Sequence, residues 1–304
     1  MNPAFSVLLF TTLSGAGYGL LAWLGIHYAW WPLPSQRDVA LIPLGVGLML
    51  ATIGLSSSVF HLGKPLRAWR AFSQWRTSWL SREGVLALKT YIPALLLAWL
   101  AWRGDSGPLS HVVGILLALL SFATVACTAM IYVSLKPVPA WQHKLVLPGY
   151  LMFAALSGWL LFACTAALAP TPALVGAVLW ALALAALKRS YWKDVDHLAL
   201  PSRESATALE GIGKVTTFER PHTEANYLTR EMGFVLARKH ARKLRVIALT
   251  LFAGTPLLAL ILAMLLPTLA NFALWVAAIA VLVGAFVERW LFFAEAKHMV
   301  TLYY

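Results

Sequence analysis

The sequence predicts an all-α integral membrane protein with eight transmembrane helices, and three observations carry that expectation. Of its 304 residues, 60% are hydrophobic and only 12% are charged, with a mean hydropathy of +0.74. That is about half the charge of an ordinary soluble domain and more apolar surface than a water-soluble fold can bury. The apolar residues come in runs long enough, at ~1.5 Å per residue, to cross a ~30 Å hydrocarbon core. The runs are rich in Ala and Leu and show no strand-like alternation, which favours helices over a β-barrel.

The spans are expected at residues 4–31, 38–62, 84–102, 109–134, 147–169, 171–190, 246–267 and 271–297, within one membrane-anchor domain covering 1–304. The first follows Met1 and Asn2 with no basic stretch and no small-residue cleavage site, so it reads as a retained span and not a signal peptide. It carries Thr11, Gly15 and Gly19 at spacing four and stops at Trp30, Trp31, Pro32 and Pro34. The second carries Gly54, Ser57, Ser58 and His61 at helical spacing, a small and hydroxyl face of the kind that lets helices approach and hydrogen-bond. The third opens on Glu83 and ends at Trp99, Trp102 and the turn Gly104–Pro108. The fourth precedes Pro137 and Pro139, and the fifth ends at Pro170. The sixth, after Pro172, is the shortest of the eight and the first the longest, so tilt or fraying is expected. The seventh ends at Pro267, and the eighth carries Glu288 and Arg289. Cys127 and Cys164 lie inside apolar runs as small packing residues and make no metal-ligand set.

A net charge of +12 in a soluble protein would point to nucleic acid. Here the basic residues stand between spans, where they set orientation. Lys64, Arg67, Arg70, Arg76, Arg82, Lys136, Lys144 and the long 191–245 loop fall on the side of the termini, and Arg37 and Arg103 fall on the other. Both termini are therefore expected in the cytoplasm. Within the long loop, Ser202, Glu204 and Gly211 mark a short capped helix. A second helix is expected from Pro221–Thr223 through ANYLTREMGFVLARKHARKLR into the seventh span. Its basic residues, Arg238 and Arg242 among them, suit anionic lipid headgroups or an acidic partner protein equally.

The stretch HLGKPLRAWRAFSQWRTSWLSRE, from His61 to Glu83, concentrates the residues with chemistry to offer. Its tryptophans exceed what interfacial anchoring needs and suit a flat aromatic ligand or a partner surface. An ionisable ring at the membrane boundary, such as His61, faces a cavity or a partner, or else caps its helix. Glu83 is favoured by the helix dipole, and a carboxylate at the depth of a histidine also suits proton exchange. Oxidising a quinol releases two protons with two electrons, and reducing a quinone takes them up. Such a site needs a hydrogen-bond partner near each ring oxygen and a group that titrates near neutrality. Glu288 and Arg289 are costly where they stand unless paired with another span or facing a cavity. Haem is not expected: His27 and His111 lie near one boundary, His61 and His298 near the other, and none lies deep in a span.

HLGKPLRA at 61–68, followed by Ser78, Ser81 and Glu83, resembles the membrane anchor subunit of dimethyl sulfoxide reductase, as does the Arg289-aromatic-His298-Met299 pattern near the C-terminus. That family belongs to the polysulfide-reductase-type, haem-free, quinone-interacting anchors. PAFSVLLFTT, SQWRTSWLSRE, NYLTREMGFVLARKHARKLR and ERWLFFAEAKH are similar to the anchor of cytoplasmic sulfite-oxidising molybdoenzymes, while the 191–245 loop is longer than in the reductase anchors. The resemblance covers essentially the whole chain. It implies a bacterial inner-membrane subunit with no activity of its own, partnered by a four-cluster iron–sulfur subunit and a molybdopterin catalytic subunit. It also implies exchange with menaquinone or ubiquinone at His61 and Glu83. On that view His61 bonds one ring oxygen and exchanges its proton, and Glu83 is the second proton group or orients His61. Ser57 or Ser58 positions the ring, and Arg289 stabilises negative charge developing on it. Arg67, Arg70, Arg76, Arg82, Arg238 and Arg242 dock the iron–sulfur partner. Electrons would run from sulfite to quinone, or from menaquinol in the dimethyl sulfoxide reductase alternative. A secondary transporter is the rival of another class, disfavoured because no paired broken helices appear.

Overall fold

The computed structural model describes residues 3–30, 37–59, 64–219, 224 and 239–302. His61, Arg238 and most of the second expected helix of the long loop lie outside them. Among the described residues there is no strand, and eight helices are long and apolar enough to cross a membrane. These are α1 (Phe5–Trp30), α2 (Val39–Val59), α3 (Trp79–Arg103), α4 (Pro108–Val133), α5 (Val146–Ala166), α6 (Thr171–Asp196), α7 (Ala241–Leu265) and α8 (Pro267–Ala294).

Three bounds differ from the hydropathy reading in ways that matter. α3 begins at Trp79, with Ser78 as N-cap, so Glu83 stands one turn inside the helix instead of opening it. The cap, not the onset of apolar residues, sets the start. α6 runs on to Asp196 because its polar run still buries Tyr191 and Trp192; it is not the shortest span, and Lys188 lies inside it. α7 starts at Ala241, which brings Arg242 and Arg245 into the helix. α3 closes on Gly104 at φ +69°, a left-handed cap that glycine adopts without strain.

α1 and α5 are the innermost helices, each with 72% of its most apolar stretch buried, against 33% for α2 and α6. Small residues allow this. A Cβ on Gly19 would collide with the backbone of Ala154, and one on Gly158 with the backbone of Gly19 and Leu20. Gly25 meets Gly114 of α4, and Gly17 meets Gly47 and Ala51 of α2, at similarly close range. Lipid tails offer helices no hydrophobic incentive to associate, so this backbone-to-backbone packing is what fixes α1 among α2, α4 and α5. α7 and α8 pair with each other on the far side of α5, where Phe252 stacks edge-on against Phe153 at 5.0 Å. Both α1 and α7 contain a π-helical turn, at Phe10–Ser14 and Thr250–Gly254. In α1 that wide turn puts the consecutive Thr11 and Thr12, with Ser14, inside the bundle.

At one end of the bundle the connections are tied together. Met299 N–H donates to the Pro137 carbonyl (2.9 Å), Arg203 Nε to the Leu302 carbonyl (2.8 Å), and His143 Nε2 meets Asp194 Oδ2 at 3.1 Å. Ser202 caps the short helix Arg203–Ala206, its hydroxyl accepting from Ser205 N–H at 3.0 Å.

Candidate functional site

Glu83 is the residue to build from. It is 4% exposed on α3, and the Thr128 hydroxyl of α4 donates to its Oε1. Thr128 in turn lines a narrow cavity between α1, α4, α5 and α8 with Thr11, Thr12, Ser14, Tyr150, Ser157 and Arg289. Around a space of about 10 Å³, the size of one water, these side chains present hydroxyls and a guanidinium. Thr12 Oγ1 and the Tyr150 hydroxyl are buried there without a hydrogen-bond partner among the described residues, and the Tyr18 hydroxyl, elsewhere on α1, is likewise without one.

Arg289 is 4% exposed and its guanidinium carbon lies 3.5 Å from the centre of the Tyr150 ring, a desolvated cation–π contact. Its Nη1 donates to Glu288 Oε2 at 2.9 Å, and Lys188 of α6 closes the cluster on Glu288 Oε1. Glu288 is fully buried and Lys188 is 5% exposed, so the partner the sequence required for the charges of α8 is a lysine near the end of α6. Farther out, Arg245 of α7 bridges Asp196 (2.7 and 2.8 Å) and Glu295 (3.0 and 3.0 Å). Burial pushes the Glu295 carboxyl above the usual carboxylate range, with Arg245 opposing. Arg245, Asp196, Glu295 and Lys297 line a 220 Å³ pocket.

Ser57 and Ser58 stand on α2, apart from this cavity. The Ser57 hydroxyl is engaged by the carbonyls of Ser6 (3.0 Å) and Gly54 (2.6 Å), and Ser58 donates to the Leu55 carbonyl of its own helix (2.6 Å). Ser57 lines a 420 Å³ groove between α1 and α2 with Phe5, Ser6, Leu9, Thr52, Ile53 and Ser56. At its edge Thr52 and Tyr91 of α3 share a hydrogen bond of 2.7 Å. The site residues read from the sequence thus fall into two places: Glu83 and Arg289 at the polar cavity, and Ser57 at the groove.

The connection before α3 is a 3₁₀ helix, Pro65–Gln74. Its three-residue repeat stacks i and i+3, so Leu66, Trp69 and Phe72 form one ridge and Arg67 and Arg70 another. Leu66 and Trp69 are exposed, while the Phe72 ring lies against Gly84. Arg67, Arg70, Arg76 and Arg242 are exposed. Arg82 is used internally instead: it donates to the carbonyls of Trp75 (3.1 Å) and Arg76 (2.6 Å) and lies over Trp79.

Sequence reasoning missed Thr12, Thr128, Tyr150 and Lys188. A lone acid and base in α8 signalled that a charged partner stood on another span, and Lys188 was within reach of that argument. The threonines carried no such mark, since most hydroxyls in membrane helices bond their own backbone.

A family model described as DMSO reductase anchor subunit (DmsC) matches residues 1–294. The chain is also 34% identical, over an alignment of 333 positions, to the C subunit of sulfite dehydrogenase from Allochromatium vinosum (strain ATCC 17899), covering 100% of this chain and 99% of that protein.

Proposed function

The chain belongs to the DMSO reductase anchor subunit family, and from that premise we propose that it is the membrane anchor and quinone-exchange subunit of a molybdopterin oxidoreductase. In this reading it passes electrons between the quinone pool and a four-cluster iron–sulfur partner, and sulfite oxidised on a molybdopterin subunit is the electron source. The observation that carries the quinone assignment is Glu83, a carboxylate held inside a membrane helix by a hydrogen bond from Thr128. A buried acid costs stability wherever it serves no partner or substrate.

The residues present fit a quinone. The groove at Ser57 is mostly apolar, suiting an isoprenoid tail, and carries serine and threonine hydroxyls beside it. At the separate polar cavity, Tyr150 and Thr12 carry buried hydroxyls without a partner among the described residues. A bound quinone supplies the two-electron, two-proton couple, and this chain holds the ring and handles the protons. Glu83 exchanges one proton, with His61 as the group on the other ring oxygen. Ser57 and Ser58 border the approach, and Arg289 sets a positive potential on the far side of the cavity. Arg67 and Arg70, with Arg76, Arg238 and Arg242, dock the iron–sulfur partner on the cytoplasmic side of a bacterial inner membrane, and both termini share that side. The chain has no catalysis of its own.

The test is Glu83→Gln in the intact complex. Quinone-linked turnover should fall by ~100-fold or more, within the range typical of a lost general acid–base group, while reduction of an artificial dye by the catalytic subunit is unchanged. Undiminished quinone-linked turnover would sink the assignment. A second reading, menaquinol oxidation for a sulfoxide reductase, is favoured by the description of the matching family. Supplying sulfite or sulfoxide to the isolated complex separates the two.

A further inference from the structure

We propose that the 3₁₀ helix Pro65–Gln74 is an interfacial insert, whose ridge of Leu66, Trp69 and Phe72 is seated in the boundary between acyl chains and anionic headgroups. The leaflet is the one at the Trp79 end of α3. The inference goes beyond the quinone reading and does not depend on it.

It stands first on where the ridge begins. Phe72 lies against Gly84 of α3. Counting four, eight and eleven residues on from Gly84 returns to within about 80° of its side of the helix, which places Leu88, Ile92 and Leu95 there. These three are 57%, 68% and 60% exposed. In a bundle that crosses a membrane, that stripe of α3 is turned to lipid. Phe72 therefore covers the end of a lipid-facing stripe, on the flank of the bundle and not over its interior. The segment is also held at the membrane boundary from both sides, because α2 ends at Val59 and α3 begins at Trp79.

It stands next on how the segment sorts its side chains. Stacking i on i+3 gives three ridges. Ala68 and Ala71, on the first, are half-buried. Arg67 and Arg70, on the second, are exposed. On the third, Leu66 is 93% and Trp69 65% exposed, so almost nothing among the described residues covers them. An apolar ridge of leucine and aromatic rings beside a basic one is the pattern of an element lying in the plane of a membrane surface.

It stands last on charge. From Lys64 to Arg82 the chain carries basic residues and no acid, which suits anionic headgroups. The guanidinium of Arg70 lies 5.6 Å from the Trp69 ring, and that of Arg76 lies 5.6 Å from the Trp75 ring. An indole at the acyl boundary with a guanidinium beside it at phosphate level is the arrangement both groups favour. An acidic protein surface would match the arginines as well, but would not account for an apolar ridge that starts on the lipid-facing stripe of α3. With the ridge seated in lipid, Arg67 and Arg70 stand a third of a turn away. The membrane then fixes the height at which they meet a partner.

The experiment places a nitroxide spin label at Leu66→Cys, Trp69→Cys or Ser73→Cys in the intact complex, held in nanodiscs of phosphatidylcholine and phosphatidylglycerol. Cys127 and Cys164 are buried, so the label reports the new position. Labels at Leu66 and Trp69 should collide severalfold more with oxygen, which concentrates in lipid, than with a water-soluble nickel complex. The Ser73 label, on the basic ridge, should show no such preference for oxygen. Preference for nickel at Leu66 and Trp69 would put the ridge in water and overturn the proposal. Shielding of both from oxygen and nickel alike would mean that a partner protein covers the ridge, and would overturn it too. A second arm carries Leu66→Gln with Trp69→Gln beside the Ser73 label. Both side chains are exposed, so the fold of the chain is not at stake. A more mobile Ser73 spectrum in nanodiscs supports seating in lipid, and an unchanged spectrum overturns it. Quinone-linked turnover is read in neither arm, so either outcome leaves the quinone reading to its own test.

Discussion

Lys188 and Glu288 sit where neither charge is tenable alone. Removing one partner of a buried pair leaves an uncompensated ion, at a cost of about 3–5 kcal/mol. Glu288→Gln leaves Lys188 and Arg289 without a carboxylate and should therefore lower thermal stability in mild detergent by about that amount, whereas Lys188→Met leaves Glu288 paired with Arg289 and should cost less. Thr128→Val strips Glu83 of its donor and should cost about 1–3 kcal/mol, the usual penalty for a buried group left unpaired. Quinone-linked turnover should fall with it, and Thr128→Ser should restore both. Glu83 and Arg289 could be read from the sequence because charged residues stand out in apolar runs. Thr128 could not be: a threonine that holds a carboxylate and one that bonds its own helix, as Thr90 does with the Leu86 carbonyl, look alike until a neighbouring helix is placed.

The helices show a similar division. Their number and order follow from hydropathy, because twenty apolar residues in a row leave a membrane protein few alternatives. Their ends do not, because a cap extends α3 and a buried aromatic face extends α6 into polar sequence. The π-turn of α1 is also invisible in the sequence, since FTTLS reads as ordinary helix. The 3₁₀ helix Pro65–Gln74 is anchored where Phe72 rests on Gly84, and a Cβ there would come within 2.8 Å of the ring. Gly84→Ala should lift this segment off α3, seen as faster protease cleavage at Arg67 and Arg70 and weaker retention of partner subunits. At the other terminus, His298 Nδ1 accepts from Val300 N–H at 3.0 Å, which requires the neutral ring, and burial holds its pKa below the ordinary value. The folded state thus binds fewer protons than the unfolded one in the window between that lowered value and the ordinary 6.5. Its contribution is present above the window and is lost as pH falls through it. Amide exchange at Val300 should quicken on acidification, and a His298→Gln variant should lose that dependence.

Over the whole molecule, charge and hydropathy separate by place: lipid-facing side chains cover the bundle, and basic residues gather on connections at one end. Exposed Arg67, Arg70, Arg76 and Arg242 should make partner binding salt-sensitive. Reversing Arg67 and Arg70 to Glu should release the partner subunits at lower salt than the unaltered complex, as measured by co-purification across a salt series. The position of α1 has a consequence for how the protein is made. It is synthesised before the helices it packs on, and its glycine faces are matched by α2, α4 and α5, the last of which is synthesised after residue 145. Until then the most tightly packed helix of the finished bundle must sit in lipid with its small-residue surface bare, so insertion and folding are separate events in time. The polar cavity, which draws on α1 and α8, is completed only when α8 arrives.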